Sequence, residues 1–110
     1  MSLPDLTGQI LTNVDRDYTM RMETREGWHI AVELEEVVDD KDLAAALYGA
    51  IDEPITAFSI SEDGVLAMSV GGAHMRVAPA PDYDAWNIVG PLPNKPRVVC
   101  LPGGELAIWS

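Results

Sequence analysis

The sequence predicts a mainly β, α+β fold: antiparallel β-meanders of about eight or nine short strands, forming a sandwich or a partly open barrel, with one short helix. Three observations predict it. Apolar and polar residues alternate strictly over residues 18–34. Turn signals recur every ~8–12 residues. Helical spacing of apolar residues is confined to residues 41–50.

The alternation comes first. Tyr18, Met20, Met22, Trp28, Ile30, Val32 and Leu34 are apolar, and Thr19, Arg21, Glu23, His29, Ala31 and Glu33 lie between them. Period two marks a strand with one wet and one dry face. The break at residues 24–27 makes this a hairpin. Directly opposed residues in an antiparallel pair share a face. The dry residues are even-numbered on both arms, so the turn holds an odd number of residues. A three- or five-residue loop with Gly27 left-handed satisfies this. Over residues 64–78 the parity changes: Leu66, Met68 and Val70 are even, while Ala73, Met75 and Val77 are odd. That requires an even turn, and Gly71-Gly72 supplies one. The two units are offset by 46 before the turn (Asp17 to Asp63, Met20 to Leu66) and by 45 after it (Trp28 to Ala73, His29 to His74). Two readings stand: an internal duplication with one deleted turn residue, or the generic likeness of any two amphipathic hairpins.

The chain then reads in order as one domain over residues 1–110. Residues 8–14 form a first strand, and Asp15-Arg16-Asp17 turns into the hairpin, giving a first meander over 8–34. Residues 35–42 are acidic. Asp39 or Asp40 is the expected N-cap of a helix within 39–51, which has Leu43 and Leu47 on one side. Asp40 and Asp42 lack the further oxygens and the glycine of a calcium loop, so capping is the better reading. A second meander covers 55–78, and Pro79-Ala80-Pro81 ends it. The C-terminal meander covers 86–109, with a rigid proline loop at 91–96 and a hairpin across Pro102-Gly103-Gly104. That turn has no Lys-Ser/Thr and no following helix, so it is no phosphate loop. Trp28 and Trp109 are expected in the core, and the helix over an open face or edge of the sheet.

Composition narrows the function. Eighteen acids against seven bases leave a net charge of −11. No nucleic-acid partner and no membrane surface is expected, since both need clustered Lys and Arg. The charge permits a protein partner with a basic surface. Cys100 stands alone, which excludes an internal disulfide and a cysteine-based zinc site. The N-terminal residues have neither the basic region nor the apolar run of a signal peptide, and no stretch approaches the ~20 apolar residues of a membrane helix. A cytoplasmic location is expected.

Few residues carry potential chemistry. Cys100 with His29 or His74 is the one nucleophile–base combination, but Cys100 sits in the apolar run Val98-Val99-Cys100-Leu101, where a thiol behaves as a small hydrophobe. His29 and His74 fall on the wet faces of their hairpins at equivalent places. As solvated strand residues they need no metal. No catalytic residue, metal or cofactor is assigned. The most unusual stretch is Asp82-Tyr83-Asp84-Ala85-Trp86, two carboxylates and two large aromatics in five residues. As a recognition loop, its aromatics would supply contact area and its acids would select a basic or hydroxyl-bearing partner. As a structural loop, Trp86 enters the core, Tyr83 closes one end of the fold, and Asp82 and Asp84 bond nearby backbone N–H groups.

Gly8-Gln9 leading to Asp17-Tyr18, Gly27, the 82–86 block and the ending Pro102-Gly103-Gly104-Glu105-Leu106-Ala107-Ile108-Trp109 together resemble a family of small bacterial, largely actinobacterial, proteins known only as a domain of unknown function. The resemblance spans nearly the whole chain. It implies a stand-alone bacterial domain and transfers no catalytic residue. Two functions stay open. One is a non-catalytic binding module that holds a basic protein partner or self-associates as a dimer through its sheet edges. The other is a small-ligand site or minor enzyme near Tyr83, Trp86, His29 and His74.

Overall fold

The computed structural model describes residues 3–38, 42–92 and 94–109. It is mainly β: nine antiparallel strands in two sheets, sandwich-like and without barrel closure. The first meander is β1 (Leu11–Arg16), β2 (Thr19–Thr24) and β3 (His29–Glu33). The second is β4 (Ile55–Ile60), β5 (Leu66–Val70) and β6 (Ala73–Val77), which form a sheet of their own. The C-terminal strands β7 (Trp86–Val89), β8 (Arg97–Cys100) and β9 (Leu106–Trp109) extend the first meander into a six-stranded sheet, β1-β2-β3-β7-β8-β9.

The parity argument holds at both hairpins. Thr24 N–H donates to the Trp28 carbonyl at 3.0 Å and closes a three-residue loop, in which Gly27 has φ +98°. Val70 lies opposite Ala73 across Gly71-Gly72, and only the first of these glycines has positive φ, as a type II′ turn requires. Alternation then directs the even residues of β2 and β3 and the even residues of β5 inward. Met20, Met22, Ile30, Val32, Leu66, Met68 and Val70 are all buried, and Trp86, Ile88, Val98 and Cys100 complete the layer from the C-terminal strands.

The two meanders repeat each other beyond their hairpins. β1 and β4 each carry a register shift, between Leu11 and Asn13 and between Ile55 and Ala57. The extra residue is a threonine both times, and its Oγ1 donates to a carbonyl of the next strand at 3.3 Å: Thr12 to Glu23, Thr56 to Ser69. The segments leading into these strands pair with one another around an Ile10–Pro54 bridge. Leu11 N–H donates to Glu53 (3.1 Å) and Ile55 N–H to Gln9 (2.8 Å); Gly8 N–H donates to Ile55 and Asp52 N–H to Leu11, both at 2.7 Å. At an offset of 44 residues, Leu11 to Ile55, each bond is the two-fold image of its partner. The turns before them also match, since Gly8 and Asp52 both have positive φ, 92° and 75°. Generic hairpin likeness does not explain features lying outside the hairpins, and internal duplication does.

Several expectations are corrected. The first strand begins at Leu11 and runs to Arg16, because residues 8–10 are drawn into the pairing with the second repeat. Tyr18 is 88% exposed because it occupies the tip of the β1–β2 turn, past the last strand pair. Trp28 is half-buried and packs against the core margin. Trp109 is 53% exposed. In β9 the inward residues are Leu106 and Ile108, so Trp109 falls on the outer face, where the Arg97 guanidinium lies 5.6 Å from its ring centre. The helix α1 spans Leu43–Tyr48 and packs Leu43 and Leu47 between β6 and β1. Asp39 and Asp40, the expected caps, lie outside the described residues. Asp42 flanks the helix with φ +62° and makes no capping bond. No helix among the described residues is long and apolar enough to cross a membrane.

Candidate functional site

The 82–86 block is anchored at its last two residues. Ala85 is buried, and its carbonyl accepts the Glu33 N–H at 2.8 Å, continuing the β3–β7 ladder. Trp86 opens β7 opposite Val32 and is 1% exposed. Its indole N–H donates to the Gly64 carbonyl at 2.9 Å, which satisfies the one polar atom of a buried ring. Cys100 Sγ donates to the same carbonyl at 3.5 Å. Gly64 lies against Gly104 of the Pro102–Gly104 turn, so both sequence blocks converge on the β4–β5 turn. A tryptophan here serves packing, as the structural reading of the block expects.

The outer half of the block is different. Tyr83, Asp82 and Asp84 are exposed at one end of the sandwich. The Tyr83 hydroxyl donates to Glu36 Oε1, and Glu35 Oε2 lies 3.4 Å away. Asp82 and Asp84 make no side-chain hydrogen bond among the described residues, so the turn-forming bonds expected of them are not seen. Two carboxylates, Glu35 and Glu36, thus meet one aromatic side chain, and Asp82 and Asp84 flank it along the chain. None of the four forms an ion pair among the described residues, where the single pair is His29 with Glu23 at 3.8 Å. The hydrogen bond to Glu36 holds the Tyr83 phenol well above the ordinary tyrosine range; desolvation and the charges of Glu36 and Glu35 add to it.

This shift has a measurable sign. A phenol whose folded pKa exceeds its unfolded value stabilises the fold below the unfolded value, near 10, and that contribution is lost as pH rises through the folded one. Alkaline titration followed by tyrosinate absorbance is expected to show one late-ionising tyrosine. In Glu36→Gln that step moves to lower pH. An unchanged titration would remove the Tyr83–Glu36 contact from consideration.

The other candidate residues are not brought to this end. His29 lies on the outer face of the large sheet, opposite Glu23 and Val89, in a shallow recess of about 310 Å³ with Asn13, Arg21 and Asn87. His74 lies on the outer face of the small sheet, its Nδ1 2.8 Å from Ser69 Oγ, in an open recess of about 680 Å³. Equivalent places in the two repeats are therefore on opposite layers. Cys100 points between the sheets and both imidazoles point away from them, so the structure forms no nucleophile–base pair from these residues. Burial pushes the Cys100 thiol up, and the nearby Asp84 charge adds to that. Glu35 and Glu36 are the residues sequence reasoning missed. They read as an acidic run before the helix, and Glu36 is 47 positions from Tyr83, beyond the reach of any local pattern.

A family model described as a family of unknown function (DUF6188) matches residues 2–110, and the chain belongs to that family. No curated protein matches the chain. No solved structure matches it.

Proposed function

Since membership of this family assigns no activity, we propose from the geometry that the chain is a non-catalytic protein-binding module whose acidic end receives a basic segment of a partner protein. One observation carries the reading. Tyr83 stands partly exposed against Glu35 and Glu36, flanked in sequence by Asp82 and Asp84 and three residues before the buried Trp86, and none of those carboxylates has an ion-pair partner among the described residues. An exposed aromatic beside uncompensated acids offers contact area together with selection for Lys or Arg. The ligand-site alternative near Trp86 has less support. Trp86 is buried, and four of the recesses among the described residues have neither Tyr83 nor Trp86 in their walls.

The test is binding of a Lys/Arg-rich peptide, followed by calorimetry at low salt. Neutralising the end (Glu35→Gln, Glu36→Gln, Asp82→Asn, Asp84→Asn) is expected to weaken binding at least ~10-fold, by removing close charge pairs. Neutralising Asp5, Asp52, Glu53 and Asp63, elsewhere on the surface, is expected to change it by no more than ~2-fold. Equal losses in both variants would reduce the effect to net charge and overturn the reading. So would a wild-type chain that does not bind the peptide.

A further inference from the structure

The sheet edges are not equally protected. β1 and β4 each carry the threonine bulge, and their leading segments pair with each other. β6 is roofed by Val37 and Val38: Val37 bridges Val77, and Val38 N–H donates to Arg76 at 2.8 Å. β9 ends the large sheet, and no strand among the described residues pairs with its outer edge. Over Leu106–Trp109 it has no bulge, no proline and no charge, the devices that ordinarily prevent edge pairing.

The hydrogen-bonding groups on that edge can be assigned. Leu101 N–H donates to Glu105 at 2.7 Å, and the β8–β9 register places Val99 opposite Ala107 and Arg97 opposite Trp109. Antiparallel ladders alternate, so Ala107 and Trp109 bond to β8, while the N–H and C=O groups of Leu106 and Ile108 face outward. Those two residues are also the half-buried apolar pair on the inner face.

We propose that β9 is a self-association edge, on which a second copy of the chain pairs antiparallel across a two-fold axis at Ala107. In that register Leu106 lies opposite Ile108 of the partner subunit, and the four outward backbone groups on each side close four hydrogen bonds. The half-buried Leu106 and Ile108 side chains cover each other on the inner face. On the outer face, alanine meets alanine at the axis. Trp109 lies opposite Glu105 of the partner subunit. Arg97 already lies over the Trp109 ring from the other side, so base, aromatic ring and acid line up in one row, twice. Apolar meets apolar, and Arg97 and the partner's Glu105 bring opposite charges to the two sides of one ring, which makes the edge complementary to itself and selects a second copy over an unrelated strand. The interface is short and buries less than ~1,200 Å², so the dimer is weak and exchanging. It is independent of the acidic end.

Sedimentation velocity on the full chain tests it, over about 10 µM to 1 mM, the range a small interface of this kind populates. The wild type is expected to move from monomer to dimer across that range. Glu105→Arg puts positive charges on both sides of the Trp109 ring in place of opposite ones and is expected to weaken association at least ~5-fold; the swapped double variant Arg97→Glu/Glu105→Arg restores it. Ile108→Pro deletes an outward donor without touching the β8 ladder and is expected to abolish the dimer. A wild type that stays monomeric throughout would overturn the proposal. So would Glu105→Arg associating as the wild type does, or a swapped double no better than the single variant. The charge variants decide the matter even if the proline variant fails to fold.

Discussion

Replacing Gly64 with alanine is expected to cost about 3–5 kcal/mol, enough to leave little folded protein. Two effects add. The backbone at Gly64 has φ +89°, where a side chain is strained by roughly 1–2 kcal/mol. The new Cβ would then lie 2.6 Å from the Gly104 carbonyl oxygen and 2.8 Å from the Gly104 Cα. Both are backbone atoms, so no side chain can rotate away to make room. Any retreat also displaces the carbonyl that accepts the Trp86 and Cys100 donors. Urea denaturation measures the effect, with Gly72→Ala as control. Gly72 has no positive φ and nothing within 4 Å of a built Cβ, so its substitution is expected to stay within ~0.5 kcal/mol. A Gly64→Ala midpoint equal to the wild type would remove the close approach of the two turns.

Trp86→Ala is expected to lose a comparable ~3–5 kcal/mol, because the largest fully buried side chain leaves a cavity between the sheets. Trp86→Phe separates the two parts of that cost. It keeps most of the apolar area and removes the indole N–H, so the Gly64 carbonyl retains only the weak thiol donor. A loss of about 1–3 kcal/mol is expected, that of leaving a buried acceptor poorly satisfied. If Trp86→Phe were neutral, the hydrogen bond would contribute nothing and the tryptophan would be held by shape alone. Together the two variants ask whether the 82–86 block is retained for packing at its end and frees its beginning for binding.

The hairpins were legible because their information is local. Register follows from parity, and parity from adjacent residues, so Gly27 and Gly71-Gly72 could be assigned their loop lengths from the sequence. The duplication was half-legible. Its offset showed in the hairpins, but its best evidence, the bonds among residues 8–11 and 52–55, pairs segments that have no shared apolar pattern. Trp109 was misplaced for a definite reason: Leu106-Ala107-Ile108-Trp109 has no polar residue to say which face is wet. Only the ladder from β8 decides it.

The sequence by itself determined the strands, the turn parities and the net charge, because each depends on residues within a few positions of one another or on simple sums. The tertiary structure alone decided that Gly64 meets Gly104, that Tyr83 meets Glu36, and that β9 is left without a neighbour. The first of these follows from how the second sheet docks on the first, and the other two follow from the order β3-β7-β8-β9 within the large sheet. That docking is set by the volumes of side chains drawn from all three meanders, and period-two alternation says which face is buried without saying what it is buried against.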